Sequence, residues 1–115
     1  MKKKIALIGL GYVGLPLAVE FGKKRIVIGF DINVSRINDL KNDVDLTLEM
    51  TSEELKSAVH LRYTSCIDDI SDCSIFIVTV PTPVDSLKRP NLTYLEKSSE
   101  SVAGILKKGD VVIYE

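Results

Sequence analysis

Apolar residues run along this chain in short unbroken stretches, separated by segments with helical spacing. Ile5-Ala6-Leu7-Ile8, Ile26-Val27-Ile28-Gly29-Phe30 and Ser74-Ile75-Phe76-Ile77-Val78-Thr79-Val80 are apolar on both faces, as parallel strands covered on two sides should be. Leu61-Arg62-Tyr63-Thr64 is a shorter strand, and Val111 to Tyr114 a buried fifth, entered from a turn at Gly109-Asp110. A first helix is expected from Tyr12 to Gly22, with Pro16 in its early turns and the basic Lys23-Lys24-Arg25 at its C-terminal end. A second should run from Ser35 to Leu40, capped by Asn33 or Ser35. Thr51-Ser52-Glu53-Glu54 is a capping box that starts a third, continuing through Ala58. The last should run from Leu92 to Leu106, capped by Asn91 or Thr93, with Leu92, Leu95, Val102 and Leu106 as its apolar face and Ser99 a small gap in it. Lys41 to Met50 reads as an irregular acidic loop, and Cys66 to Asp72 as an Asp-rich turn. Strands alternating with helices predict an α/β fold on a doubly wound parallel sheet, in strand order 3-2-1-4-5.

The connection after the first strand carries the chemistry. Gly9-Leu10-Gly11-Tyr12-Val13-Gly14 is a G-x-G-x-x-G run between a strand and a helix. In a Rossmann-type sheet that run holds a dinucleotide pyrophosphate: Gly9 for the turn, Gly11 for close approach of backbone to phosphate, Gly14 for packing of helix on strand. Tyr12 and Val13 would offer backbone N–H groups, reinforced by the helix dipole, while their side chains pack. The second strand ends in Asp31, seventeen residues after Gly14, near the spacing expected of a carboxylate that accepts from the adenosine ribose hydroxyls. A carboxylate there repels a 2′-phosphate, which favours NAD over NADP. In such sheets the ligand lies at the carboxyl ends of the strands, so the glycine loop, Asp31 and the stiff Pro81-Thr82-Pro83 loop should share one crevice. The plainer readings are a tight βα turn for the glycines and a helix cap or solvated acid for Asp31.

Length and composition narrow the alternatives. The 115 residues suit one domain, and an apolar content of 45% is enough to fill its core. The net charge of -1 points to neither nucleic acid nor an anionic membrane surface. Lys2-Lys3-Lys4 could open a secretory signal, but the apolar stretch behind it is broken by the glycine loop and Glu20, and no segment is long enough to span a membrane. Cys66 and Cys73 match no metal or redox spacing and read as reduced, partly buried thiols, in keeping with a cytoplasmic protein. His60 reads as a surface residue, and Asp68, Asp69 and Asp72 as a solvated turn with no second ligand type, so no metal site is expected. The sequence stops as its fifth strand finishes, so it is read as a truncated fragment, with residues 1–115 forming the N-terminal nucleotide-binding domain of a longer protein.

The full loop, Gly9-Leu10-Gly11-Tyr12-Val13-Gly14-Leu15-Pro16-Leu17-Ala18, resembles the N-terminal domain of the UDP-glucose/GDP-mannose dehydrogenase family, the nucleotide-sugar 6-dehydrogenases. Gly29-Phe30-Asp31, Val80-Pro81-Thr82-Pro83 and Val111 to Glu115 fit the same family, and Arg89-Pro90-Asn91-Leu92 with Ser52-Glu53-Glu54-Leu55 lean toward its UDP-N-acetylhexosamine branch in surface-polysaccharide synthesis. The resemblance implies that Thr82 contacts the cofactor, rather than being a plain loop threonine, and that Arg36 reaches adenine or ribose, the alternative being a solvated helix charge. It further implies a UDP-sugar substrate, oxidation of the sugar C6 alcohol to a carboxylate with two NAD, and a homodimer in the full-length enzyme. The catalytic cysteine of the family, which forms a thiohemiacetal and a thioester, lies beyond residue 115. Cys66 and Cys73 do not take its place, so the fragment carries no catalytic residue and should bind cofactor at most. The role of Glu115 is left open. Two other readings stand beside this one: a stand-alone nucleotide-sensing module, and an NAD-dependent dehydrogenase of the 6-phosphogluconate or hydroxyacyl type.

Overall fold

The computed structural model describes residues 3–80, 87 and 92–115. Pro81-Thr82-Pro83 and Arg89-Pro90-Asn91 lie outside the described residues. Five strands, β1 (Ile5–Ile8), β2 (Val27–Phe30), β3 (Leu61–Thr64), β4 (Ile75–Val78) and β5 (Val111–Tyr114), form one sheet in the order β3-β2-β1-β4-β5. Every pairing is parallel, with Ile5 opposite both Val27 and Ile75. The expected α/β class and strand order are both found.

The sheet has two covered faces because side chains alternate along each strand. Ile5 and Leu7 of β1 enter one core with Val27, Ile77, Leu15, Ala18, Ile37 and Leu55. Helices α1 (Gly14–Gly22), α2 (Val34–Lys41) and α3 (Ser52–Ser57) supply the opposing residues. Ala6 and Ile8 enter the other core with Phe30, Ile70, Cys73, Phe76, Val78 and Val102. That face is covered by a 3-10 turn (Ile67–Ile70) and by α4 (Thr93–Ala103). The apolar runs of β1, β2 and β4 are thus explained by burial on both sides. The fifth strand, expected to be buried, is instead mostly exposed, because β4 is its only partner among the described residues.

Helix ends follow local chemistry. Asn33, not Ser35, caps α2, its side chain accepting from the Arg36 amide at 3.2 Å. The capping box at Thr51 closes in both directions, at 3.1 and 3.2 Å. Helix α1 begins at Gly14 rather than Tyr12, so Gly11, Tyr12 and Val13 stay outside it. Helix α4 runs only from Thr93 to Ala103, which leaves Leu92 before it and Leu106 after it, both exposed. Of the expected apolar face only Val102 is fully buried, and Ser99 stands opposite the Tyr114 hydroxyl at 2.9 Å.

Candidate functional site

The carboxyl ends of β1, β2 and β4 meet at one place. The Gly9 amide donates to the Phe30 carbonyl at 2.9 Å, and the Thr79 amide to the Ile8 carbonyl at 2.8 Å. Gly9 turns the chain there with φ +96, a left-handed conformation that side chains resist. Gly14 is required for a different reason. A Cβ on it would lie 1.8 Å from the Gly9 carbonyl oxygen and 2.3 Å from the Thr79 hydroxyl oxygen. That hydroxyl donates to the Gly9 carbonyl at 2.7 Å.

Gly11 is bare for neither reason. Its φ is not left-handed, and a Cβ on it would meet nothing within 4 Å. The fold therefore has room for a side chain that the sequence does not place there. The amides of Gly11, Tyr12 and Val13 have no acceptor among the described residues. The Tyr12 and Val13 side chains, expected to pack, are instead 68% and 57% exposed, because α1 starts only after them. The result is an open cradle of backbone donors in front of a helix, which suits an anionic pyrophosphate.

Asp31 stands at the rim of this cradle. One carboxylate oxygen accepts from the Leu10 amide at 3.0 Å, the other from the Asn33 amide at 2.9 Å. Each oxygen keeps lone-pair capacity for a further donor. Arg36 is anchored to the same loop. Its side chain is only 10% exposed, so it is not a solvated helix charge. Its Nε and Nη2 both donate to the Leu10 carbonyl, at 2.9 and 2.7 Å, and its Nη1 donates to Asp45 at 2.6 Å.

Asp45 and Thr79 are the residues that sequence reasoning missed. The Asp45 side chain is 0% exposed. It accepts from Arg36, from the Thr47 amide and hydroxyl, and from the Glu49 and Met50 amides. Burial pushes its carboxyl up, but the Thr47 hydroxyl, Arg36 and the backbone amides outweigh that and hold it down to about 2. The remaining candidates lie apart from the cradle. His60 is exposed between α3 and β3. Asp72 pairs with Lys4 at 2.6 Å, and Asp69 accepts from the Thr64 hydroxyl. Cys73 is buried, whereas Cys66 is exposed rather than partly buried. The Glu115 amide continues the β5 ladder onto Val78 at 3.0 Å. Among the described residues no three His, Cys, Asp or Glu side chains gather as metal ligands would, and no helix is long and apolar enough to cross a membrane. Thr82 lies outside the described residues.

Comparison with known proteins agrees with this geometry. Residues 3–115 match the model of the UDP-glucose/GDP-mannose dehydrogenase family, NAD binding domain. The chain is 60% identical over 112 residues to UDP-N-acetyl-D-glucosamine 6-dehydrogenase of Pseudomonas aeruginosa, covering 97% of this chain and 26% of that protein. It is 48% identical over its full length to Protein CapL of Staphylococcus aureus, covering 27% of that protein. Among solved structures, the UDP-D-ManNAc dehydrogenase of Pyrococcus horikoshii superposes with a TM-score of 0.90 at 33% identity, over 97% of this chain and 28% of that one. The chain thus spans about a quarter of the length of the curated relatives it matches. The match sets aside a dehydrogenase of the 6-phosphogluconate or hydroxyacyl type. This chain belongs to the UDP-glucose/GDP-mannose dehydrogenase family, as its NAD-binding domain.

Proposed function

We propose that the Gly9–Gly14 cradle holds the pyrophosphate of NAD. The Gly11, Tyr12 and Val13 amides donate to it, Asp31 accepts from the adenosine ribose, and Thr82, on the family resemblance, contacts the cofactor. The observation that carries this reading is the bareness of Gly11: neither backbone strain nor packing demands glycine there, and its own amide and the next two have no acceptor among the described residues. Close approach of a ligand accounts for both. Arg36 holds the loop from behind, through the Leu10 carbonyl.

Within a full-length protein, the chain would serve a UDP-N-acetylhexosamine 6-dehydrogenase that oxidises the sugar C6 alcohol to the acid with two NAD, acting as a homodimer. The names and identities of its relatives support this substrate class. Bound NAD supplies the hydride acceptor, and the residues of this chain bind it, orient it and select against a 2′-phosphate. The cysteine, lysine and asparagine that would act on the sugar belong to sequence beyond residue 115, so the 115 residues alone bind without turning over.

The test is an amide-shift titration of the chain with NAD and, separately, NADP. Saturable shifts confined to Gly9 to Gly14, Asp31 and Thr82, stronger with NAD, are the expected result. A folded chain with no shift at these residues would overturn the reading.

A further inference from the structure

Building on the dinucleotide reading above, we propose that Asp45 is a positioning residue for the cofactor, acting through Arg36 on the peptide between Leu10 and Gly11. That peptide has nothing of its own to hold it. Gly11 carries no side chain, its amide has no acceptor among the described residues, and glycine backbone is the most permissive of all. The clamp comes from behind. The Leu10 amide is held by Asp31 at 3.0 Å, and the Leu10 carbonyl receives two N–H groups of Arg36 at 2.9 and 2.7 Å. In a trans peptide the carbonyl and the following N–H point in opposite directions. Fixing the Leu10 carbonyl on Arg36 therefore aims the Gly11 N–H away from Arg36.

Arg36 holds that position because Asp45 holds Arg36. The guanidinium is planar, so the Nη1 bond to Asp45 at 2.6 Å sets the plane in which Nε and Nη2 fork onto Leu10. Asp45 in turn is fixed by four donors from residues Thr47 to Met50 and has no exposed side-chain surface. Without its carboxylate, Arg36 would be a nearly buried cation with only a neutral acceptor, and moving it toward water would release Leu10. A loop without a residue at the cradle thus controls the direction of one of its donors.

The experiment is NAD binding by the full 115-residue chain, by D45N, by R36A and by R36A/D45N, with ligand-free amide spectra of each. Asparagine keeps the size of Asp45 and one carbonyl acceptor, which favours a folded variant, and thermal midpoints verify folding. We expect NAD affinity to fall on the order of threefold in D45N and tenfold in R36A, the scale of weakening one charge-assisted hydrogen bond or losing it. D45N should add nothing further in the R36A background, because both act on one peptide. The ligand-free amides of Gly11 and Tyr12 should shift in D45N, a displacement that a uniform loss of stability would not confine to the loop. A folded D45N that binds NAD like wild type, or losses that simply add in the double variant, would overturn the proposal and leave the cradle standing. Wild-type chain that fails to bind NAD would instead overturn the dinucleotide reading, and the proposal with it.

Discussion

Gly14 packs so closely on Gly9 that a methyl group added to it would overlap the Gly9 carbonyl oxygen, at 1.8 Å. The obstacle is backbone, which cannot rotate aside. Gly14→Ala should cost about 3 kcal/mol or more of stability, the upper range for overpacking. Gly11→Ala meets nothing within 4 Å and should change stability by less than about 0.5 kcal/mol while weakening NAD binding severely. Denaturant unfolding and NAD titration of the two variants check this together. Equal stability losses would show that the glycines serve only the turn.

Replacing Asp31 by serine removes the ribose acceptor and the charge that faces a 2′-phosphate. NAD affinity should drop and the preference for NAD over NADP should narrow. The change also strips the Leu10 and Asn33 amides of their acceptor, at a cost of about 1–3 kcal/mol. Paired titrations with both dinucleotides read the first effect. Unchanged affinities for both would place Asp31 away from the ribose.

Acid should unfold this chain partly through Asp45. Its carboxyl falls from the ordinary 3.8 to about 2 on folding. The unfolded chain therefore binds the proton first, and the stability gained is full above about pH 5 and lost as pH falls through 3.8 toward 2. The shift is worth about 2 kcal/mol. Asp72 and Asp110 are also held low, by Lys4 and by the Lys107 amide respectively; Asp72 is exposed to solvent screening, whereas the Asp110 side chain is largely covered. Unfolding free energies of wild type and D45N should differ at pH 6 and converge near pH 2. A constant difference would mean that the carboxylate is not stabilised by the fold.

Tyr63 gives a prediction of the opposite sign. Its hydroxyl is buried with no hydrogen-bond partner among the described residues, and burial pushes its pKa up to about 12. An unpaired buried hydroxyl is a cost that phenylalanine would not carry. Tyr63→Phe should leave stability unchanged or raise it by up to about 1 kcal/mol. A loss above that would reveal a partner for the hydroxyl.

The two thiols should react separately. Cys66 is exposed, whereas Cys73 is buried, and burial followed by the charge of Asp72 pushes its thiol up to about 11. One equivalent of a thiol-disulfide reagent should react with native chain at pH 8, and the second only on unfolding. Two fast equivalents in the native state would place Cys73 at the surface.

Strand order and the cradle were legible because both are written locally. Runs such as Ile75 to Val78 declare burial on two faces, and the Gly9–Gly14 spacing lies within a single turn. The Thr51 capping box was equally local. Asp45 and Thr79 were not legible, because their roles depend on partners that only the folded chain brings against them. Asp45 reads as one more acid in an acidic loop until Arg36 of α2 is brought against it. Thr79 reads as a β-branched strand residue until its hydroxyl meets the Gly9 carbonyl, seventy residues earlier. The Leu10 contact of Arg36 was not legible either, since nothing in its spacing reveals that Leu10 turns a carbonyl toward it.

The two hydrogen bonds that Asp31 accepts, from the Leu10 and Asn33 amides, have a consequence for engineering. In many proteins a selectivity determinant can be exchanged like a part, leaving its surroundings intact. Here the carboxylate that would discriminate between dinucleotides is also the splice between the first crossover and the start of α2. Retooling this chain for a phosphorylated cofactor therefore calls for at least two coordinated substitutions, one to admit the phosphate and one to give the Leu10 amide a new acceptor.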